Sequence, residues 1–415
     1  MTEFQIKRRG PVQPLPTSTR HGHRLFVVVA IVCVLLGAFL TYRYVSADMV
    51  VASTVTYSMP SLPEKRTLAW PSYGQAAIAT RDYGVLETHG VIEKHPTAST
   101  AKLITMLAVM ERKPFELGAS GETLVLDQMD VDLYDNYIAR NGSNAPVQAG
   151  ERITQYQAMQ GVMLVSSNNL ADTLAIWAFG SLDNYRAYAT DMIHRYGLKN
   201  TVIGGDASGL DPGTQSTAAD LAVIAQKALA QPVIASIASQ QTATIPVAGQ
   251  IYNTNFLLGD DGVIGLKTGE SVEAGGNFVL AANHTIDGHT QQIIVVIMGA
   301  WLSKIAQQDS YGLYLSAREN FTYKTLVAKN QPIASYRPAW SKHEYAATAK
   351  DDVGAFIWPG QAVKTEVQLA DIQPGSAPSA TGSVKVIIGT VNRASVVTLA
   401  SPVDPPSAWW RIVTR

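Results

Sequence analysis

The chain has 415 residues with 32 basic and 33 acidic side chains, a formal net charge of −1, and only 16% of its residues are charged. This balance excludes electrostatic attraction of the whole protein to nucleic acid, and the length suffices for two or three domains, each with its own core. A single cysteine, Cys33, excludes a disulfide scaffold.

The N-terminal segment predicts a transmembrane anchor. Residues 25–42 form an uncharged, mostly apolar run between Arg24 and Arg43, and a helix of this length extends about 27 Å, close to the thickness of the hydrocarbon layer. Basic residues dominate the preceding tail, residues 1–24, so the positive-inside rule places the tail in the cytoplasm and the rest outside. The alternative is a signal peptide cleaved near Ala47, which would leave a secreted protein.

The remaining chain divides into three predicted regions. Residues 43–69 are rich in Ser, Thr, Val and Pro, which is typical of a linker. In residues 70–330, strand-like segments precede and follow a block of helix-like segments, which favours an α+β domain whose sheet is closed by both of its ends. Prolines separate strand-like runs in residues 336–415, which predicts a small all-β domain.

Individual elements follow from hydrophobic periodicity and β-branched content. Helices are predicted at residues 100–112, 155–164, 170–179, 183–196 and 217–230. Strands are predicted at residues 75–80, 85–88, 262–266, 277–282, 292–299, 384–388 and 394–399.

Three short motifs stand in order: Ser-x-x-Lys from Ser99 to Lys102, Ser-Ser-Asn from Ser166 to Asn168, and Lys-Thr-Gly beginning at Lys267. A zinc-binding His-Glu-x-x-His helix, a phosphate-binding P-loop and a Gly-x-Gly-x-x-Gly turn are all missing from the sequence. No histidine stands in metal-ligand spacing. We therefore predict no metal and no cofactor, and a reaction carried by a serine.

The first motif suits an activated nucleophile. A serine hydroxyl attacks only when a base takes its proton, and a lysine three residues later on a helix lies on the same face. The helix N-terminus favours a developing alkoxide at Ser99. Lys102 acts as a base only when neutral, so its pKa must fall through burial and a nearby second cation, for which Lys267 is the candidate.

The flanking sequence resembles the low-molecular-mass penicillin-binding proteins, which are serine-type D-alanyl-D-alanine carboxypeptidases. The resemblance covers about residues 70–325 and is carried by TASTAKLITMLAVM, GVMLVSSNNLADTLA, ASGLDPGTQSTAADLAVIAQKAL, NTNFLL and GVIGLKTGESVEAGGNFVLAA. It implies a β-lactamase/transpeptidase-like domain, an antiparallel sheet with helices on both sides. It also implies that the C-terminal region is the β-rich second domain of these enzymes.

The resemblance also implies catalytic roles. Ser99 would attack the carbonyl of the penultimate D-alanine of a peptidoglycan stem peptide, and Lys102 would take its proton. Ser166 would relay a proton to the leaving D-alanine, while Asn168 would hold the substrate backbone. β-Lactam antibiotics would acylate the same serine.

The third motif would bind the substrate. Lys267 and Thr268 would engage the terminal carboxylate, and Gly269 would let the peptide lie along the strand. The backbone N–H groups of Ser99 and Glu270 would form the oxyanion hole. Glu270 beside this motif is a departure from the family pattern that bears on substrate preference.

The sequence leaves open the register of the second motif. This motif has Ser-Ser-Asn where the family commonly has Ser-Gly-Asn, and Ser167-Asn168-Asn169 is an overlapping register, although Ser166 and Asn168 fit better.

The sequence also leaves room for activities besides that of a carboxypeptidase. A β-lactamase of class A would need a glutamate between the second and third motifs, and residues 168–267 contain none. A D,D-endopeptidase is a second alternative, which residues 336–415 disfavour because such relatives often lack the extra domain. An inactive peptidoglycan-binding protein is a third, which the intact set of Ser99, Lys102 and Lys267 disfavours.

Overall fold

A computed structural model describes residue 10 and residues 20–45, 52–373 and 380–413. Its first helix, α1 (Arg20–Val45), exposes its apolar side chains. Among the described residues, Gly22–Val45 is the one unbroken helix long and apolar enough to cross a membrane. Most of the predicted cytoplasmic tail and the predicted cleavage site at Ala47 lie outside the described residues.

Residues 52–300 form twelve strands: β1 (Ala52–Val55), β2 (Gln75–Thr80), β3 (Gly84–Gly90), β4 (His95–Pro96), β5 (Thr123–Val125), β6 (Arg152–Thr154), β7 (Gln215–Ser216), β8 (Thr242–Ile245), β9 (Gly249–Tyr252), β10 (Val263–Ser271), β11 (Gly275–Ile286) and β12 (His289–Ala300). The central sheet is antiparallel with the order β10-β11-β12-β2-β3. Strands from both ends of the region close it, as the sequence predicts, and β10 lies at an edge.

A 3-10 turn, Ala98–Ala101, precedes the helices of this region, and a second one, Asp260–Gly262, precedes β10. The helices are α2 (Lys102–Arg112), α3 (Gln128–Ala139), α4 (Gln155–Leu164), α5 (Asn168–Phe179), α6 (Leu182–Arg195), α7 (Ala218–Ala230), α8 (Pro232–Ala238) and α9 (Ser303–Arg318). Side-chain oxygens of Thr154, Ser167 and Thr217 cap α4, α5 and α7, satisfying backbone N–H groups that have no partner inside the helix.

Both faces of the central sheet are covered. Because side chains alternate along a strand, Val279 and Ala281 of β11 point into a core formed with α2, α4, α5 and α7. Phe278 and Leu280 point to the opposite face, into a second core formed with α9 and the C-terminal strands. The fold is therefore the predicted one, an antiparallel sheet with helices on both sides.

The C-terminal region is rich in strands: β13 (Thr322–Val327), β14 (Pro332–Arg337), β15 (Tyr345–Ala349), β16 (Val353–Ile357), β17 (Val363–Leu369), β18 (Ala380–Ile388) and β19 (Val391–Leu399), followed by α10 (Ala408–Val413). A six-stranded sheet has the order β1-β14-β15-β19-β18-β17, and β13 pairs with β16. These strands begin at Thr322, before the predicted boundary, and β1 brings part of the predicted linker into the sheet.

Candidate active site

Ser99 and Lys102 meet at the start of α2. Ser99 lies in the 3-10 turn, Lys102 is the first residue of α2, and residues three apart are eclipsed in a 3-10 turn. Lys102 Nζ lies 2.8 Å from Ser99 Oγ. Ala98 just before has a left-handed φ of 45°, and such strain is found where a site fixes a side chain. The local backbone therefore holds the serine against the amine.

Lys102 is fully buried. Burial lowers its pKa to about 7, an effect that the carboxylates of Asp206 and Asp172 partly offset. Its Nζ also lies 2.6 Å from Asn168 Oδ1 and 2.9 Å from the Ser208 carbonyl oxygen. A large fraction of this amine is consequently neutral near pH 7, and its position is fixed by three oxygens.

Ser166 and Ser167 have different surroundings. Ser166 has a left-handed φ of 60°, and its buried Oγ has no hydrogen-bond partner among the described residues. Ser167 Oγ accepts from the Leu170 N–H and donates to Asn169 Oδ1, so it is occupied in capping α5. Of the two hydroxyls, that of Ser166 is the one left without a partner in the described part of the chain.

Asn168 and Asn169 also have different partners. Asn168 faces Lys102, whereas the Asn169 side chain bonds both the N–H and the carbonyl of Ala145. The structure thus places the Asn168 side chain on Lys102 and the Asn169 side chain in a contact with Ala145.

Strand β10 brings the third motif close to Lys102 and to the turn that carries Ser99. We call the space between this strand, Ser99 and Lys102 the active-site cleft. Lys267 is 1% exposed. Its pKa is well below the usual lysine range, mainly because the amine is buried and also because the charge of Lys102 is nearby. Its Nζ donates to the Thr268 carbonyl at 3.1 Å, and Thr268 Oγ1 lies 2.8 Å from Thr254 Oγ1. For Lys102 itself, the sequence suggested burial together with a second cation. Burial is the cause that lowers its pKa, whereas the charge of one lysine on the other lowers the pKa of Lys267.

Gly269 lets β10 approach the nucleophile. A Cβ at this position would lie 3.0 Å from the Thr100 nitrogen and 3.1 Å from the Thr97 carbonyl oxygen, both backbone atoms that cannot easily move. Only a glycine fits this approach without displacing the strand from the turn that carries Ser99.

Glu270 follows Gly269 with an exposed side chain. Its Oε2 accepts a hydrogen bond of 2.6 Å from the Ser303 N–H at the start of α9. The carboxylate is therefore fixed beside the end of β10.

Sequence motifs did not identify the support behind Lys102. Asp172 accepts from Tyr137 Oη at 2.6 Å and from the Ala207 N–H at 2.9 Å, which ties α5 to α3 and to the segment containing Ser208. Burial raises the pKa of Asp172 to about 6. One signal was present: Asp172 follows Asn168 by four residues, which places both on one face of α5.

Asp206, the second carboxylate near Lys102, shapes the segment that contains Ser208. Asp206 Oδ1 accepts from the Ser208 and Gly209 N–H groups at 3.1 and 2.7 Å. It therefore orients the Ser208 carbonyl toward Lys102. Across residues 20–45, 52–373 and 380–413, no three His, Cys, Asp or Glu side chains are grouped so as to hold a metal ion.

The chain is similar to known D-alanyl-D-alanine carboxypeptidases. A profile of the D-alanyl-D-alanine carboxypeptidase family matches residues 78–301, more than half of the chain. The D-alanyl-D-alanine carboxypeptidase DacD of Salmonella typhimurium is 27% identical over 64% of this chain and 68% of its own length. DacB2 of Mycobacterium tuberculosis is 35% identical over 45% of this chain and 62% of its own.

A solved structure agrees at the level of the fold. Penicillin-binding protein 5 from Haemophilus influenzae superposes with a TM-score of 0.57 at 21% identity, covering 83% of this chain and all of that one. The family profile is the stronger evidence, because its match to residues 78–301 includes all three motifs. The chain therefore belongs to the D-alanyl-D-alanine carboxypeptidase family, and the protein is a serine peptidase.

Proposed function

We propose that the protein removes the terminal D-alanine from peptidoglycan stem peptides through an acyl-enzyme formed on Ser99. The observation that carries the proposal is the 2.8 Å separation between Ser99 Oγ and the buried amine of Lys102. With a pKa of about 7, this amine has a neutral fraction able to accept a proton at physiological pH.

Acylation begins when neutral Lys102 takes the Ser99 proton and Oγ attacks the carbonyl of the penultimate D-alanine. The oxyanion of the tetrahedral intermediate is bound by the backbone N–H groups of Ser99 and Glu270. Loss of one such donor typically costs about 3 kcal/mol of transition-state stabilisation.

Collapse of the intermediate breaks the peptide bond and releases D-alanine. Ser166 passes a proton to the leaving nitrogen, a role supported by its unpartnered hydroxyl. Lys267 and Thr268 bind the terminal carboxylate, Gly269 admits the peptide beside β10, and Asn168 holds the substrate backbone. Water then hydrolyses the ester, whereas a β-lactam leaves a slowly hydrolysed adduct on the same oxygen.

The N-terminal helix acts, in this proposal, as a retained anchor with the N-terminus in the cytoplasm. The exposed apolar surface of α1 supports it, as does the basic tail that precedes the helix. At the other end of α1, Arg43 Nη1 donates to the Ile412 carbonyl, and the Arg411 guanidinium lies 4.9 Å from the Tyr44 ring centroid. Recovery in the soluble extracellular fraction after cleavage near Ala47 would contradict this topology.

The test of the activity compares wild type with Ser99→Ala, using Ser239→Ala as a control on an exposed serine. Fluorescent penicillin and a pentapeptide ending in D-Ala-D-Ala are the two probes. We expect stable labelling and D-alanine release from wild type and the control, and neither from Ser99→Ala. Rapid turnover of penicillin would indicate a β-lactamase instead, and cleavage of cross-linked dimers in preference to the pentapeptide would indicate an endopeptidase.

A further inference from the structure

Strand β17 forms one edge of the six-stranded sheet in the C-terminal region. Among the described residues, its only neighbour in that sheet is β18. In an antiparallel sheet, every second residue of an edge strand directs its backbone N–H and C=O groups away from that neighbour. Such unpaired groups can bind another extended strand. The edge of β17 is therefore a surface to which a further strand can add.

The inner face of β17, which is turned to the second core, is covered less well than the inner face of β18. Val367 lies opposite Val384, and Val363 lies opposite Ile388. The two β18 side chains are fully buried, whereas Val363 and Val367 are only partly buried. The apolar row thus loses cover at the edge, and a strand added there would bury more of it.

The sequence of β17 is complementary to itself in antiparallel orientation. Residues 363–367, Val-Lys-Thr-Glu-Val, read the same in both directions except that Lys364 and Glu366 exchange places. Two copies paired about Thr365 therefore place Lys364 of each chain opposite Glu366 of the other.

These two charged side chains are available for such a contact. Both are exposed on the outer face of β17, and neither forms an ion pair within the described part of the chain. Opposite charges facing each other across two strands stabilise the pairing, and like charges destabilise it. The charge pattern thus favours a second copy of the chain over an unrelated strand.

We propose that β17 pairs antiparallel with β17 of a second copy of this chain, about a two-fold axis at Thr365, so that two C-terminal sheets join into one. A two-fold contact uses the same surface on both chains and closes as a dimer. The contact is small, so it needs a high local concentration. The exposed apolar helix α1 would provide this concentration by holding the copies in one bilayer.

Disulfide cross-linking of the full chain in phosphatidylcholine vesicles tests the pairing. Cys33→Ser removes the one native thiol, and Thr365→Cys places a thiol on the two-fold axis. The two Cβ atoms would then be about 5 Å apart, close enough for a disulfide to form on mild oxidation. We expect a disulfide-linked dimer. Ala394→Cys in the same Cys33→Ser chain is the matched control, exposed and two strands away from the edge, and should give little dimer.

Charge reversal in the Thr365→Cys chain separates specific pairing from chance collision. Lys364→Glu places two carboxylates opposite each other, and Glu366→Lys places two amines opposite each other, so each should slow cross-linking by about fivefold to tenfold. The double variant, Lys364→Glu with Glu366→Lys, restores opposite charges at both contacts and should recover the rate of the parent. Because both side chains are exposed, the thermal unfolding midpoints of the variants should match that of the parent.

Three results would overturn the proposal. The first is equal cross-linking through Thr365→Cys and Ala394→Cys, because collision in the bilayer would then explain both. The second is a cross-linking rate that the single charge reversals leave unchanged, or that the double variant does not recover. The third is the absence of a cross-linked dimer through Thr365→Cys.

Discussion

The active-site cleft and the core behind the central sheet are both buried, but they bury different chemical groups. The cleft buries Lys102, Asn168 and Lys267, and burying charged or polar groups costs free energy unless they are paired. The rear core, defined here as the apolar cluster joining β11, β12, α9 and the C-terminal strands, buries side chains such as Phe278 and Ile357. The side of the sheet that carries the cleft thus buries polar groups beside an apolar core of its own, whereas the rear core is formed by apolar side chains.

This division has a physical reason. A lysine with a pKa near 7 requires a site that disfavours its charge. This site destabilises the fold increasingly as pH falls from 10.5 to about 7, and by a constant amount below that. Apolar burial of about 25 cal/mol per Å² elsewhere offsets that cost. Substitutions in the cleft should therefore change rates, and substitutions in the rear core should change stability.

The largest effect on the acylation rate is expected for Lys102→Ala. Without the amine no group adjacent to Ser99 Oγ accepts its proton, so acylation by penicillin should fall by about three orders of magnitude. Stopped-flow acylation measures this, with the exposed Lys199→Ala as control. Acylation at the wild-type rate would refute the role of Lys102 as the base.

The second-largest effect on the acylation rate is expected for Gly269→Ala. The added Cβ would crowd the backbone of Thr100 and Thr97, displace β10, and slow acylation by about tenfold to a hundredfold. Gly312→Ala on α9 is the matched control, because a Cβ there meets nothing within 4 Å. Equal acylation rates for both variants would show that the close approach of β10 is not required.

A smaller effect is expected for Asp172→Asn. Acylation should rise with pH through about 7 in wild type, because only neutral Lys102 accepts the proton. Asp172 is one of the two carboxylates that raise the pKa of Lys102, the other being Asp206. Removing its charge should move this rising limb of the pH profile to lower pH by about one pH unit. The exposed Asp183→Asn should leave the limb in place, and an unmoved limb in Asp172→Asn would make Asp172 structural only.

The smallest effect on catalysis is expected for Ile357→Ala in the rear core. The cavity left by this fully buried side chain should lower the free energy of unfolding by about 3 kcal/mol. Denaturant unfolding measures the loss, and the acylation rate per folded molecule should stay unchanged. A slower acylation by fully folded protein would break the division between the two regions.

Local sequence signals predicted much of the fold. The predicted helix at residues 155–164 and the predicted strand at 75–80 coincide with α4 and β2, because both have unbroken periodicity or a continuous apolar run. Helix α9 was not predicted. Its buried stripe includes Gln307 and Ser310 beside small alanines, so its apolar pattern is weak and its stability comes from packing against the sheet.

The motif residues of the site were predicted because their chemistry depends on short, local spacings. The residues that support the motifs were not predicted, because their contacts join segments that are distant in the sequence. Ser208 contacts Lys102, and Tyr137 contacts Asp172. The strand β1 was missed for the same reason. Its partner β14 lies far along the chain, and nothing local marks residues 52–55 as paired.

The proposed reaction depends above all on Ser99 being the acylated nucleophile. Peptide mapping by mass spectrometry, after brief incubation of the full chain with penicillin, tests this most directly. We expect one adduct, located on Ser99 and lost in Ser99→Ala. An adduct on Ser166 or on any other residue, with Ser99 unmodified, would contradict it.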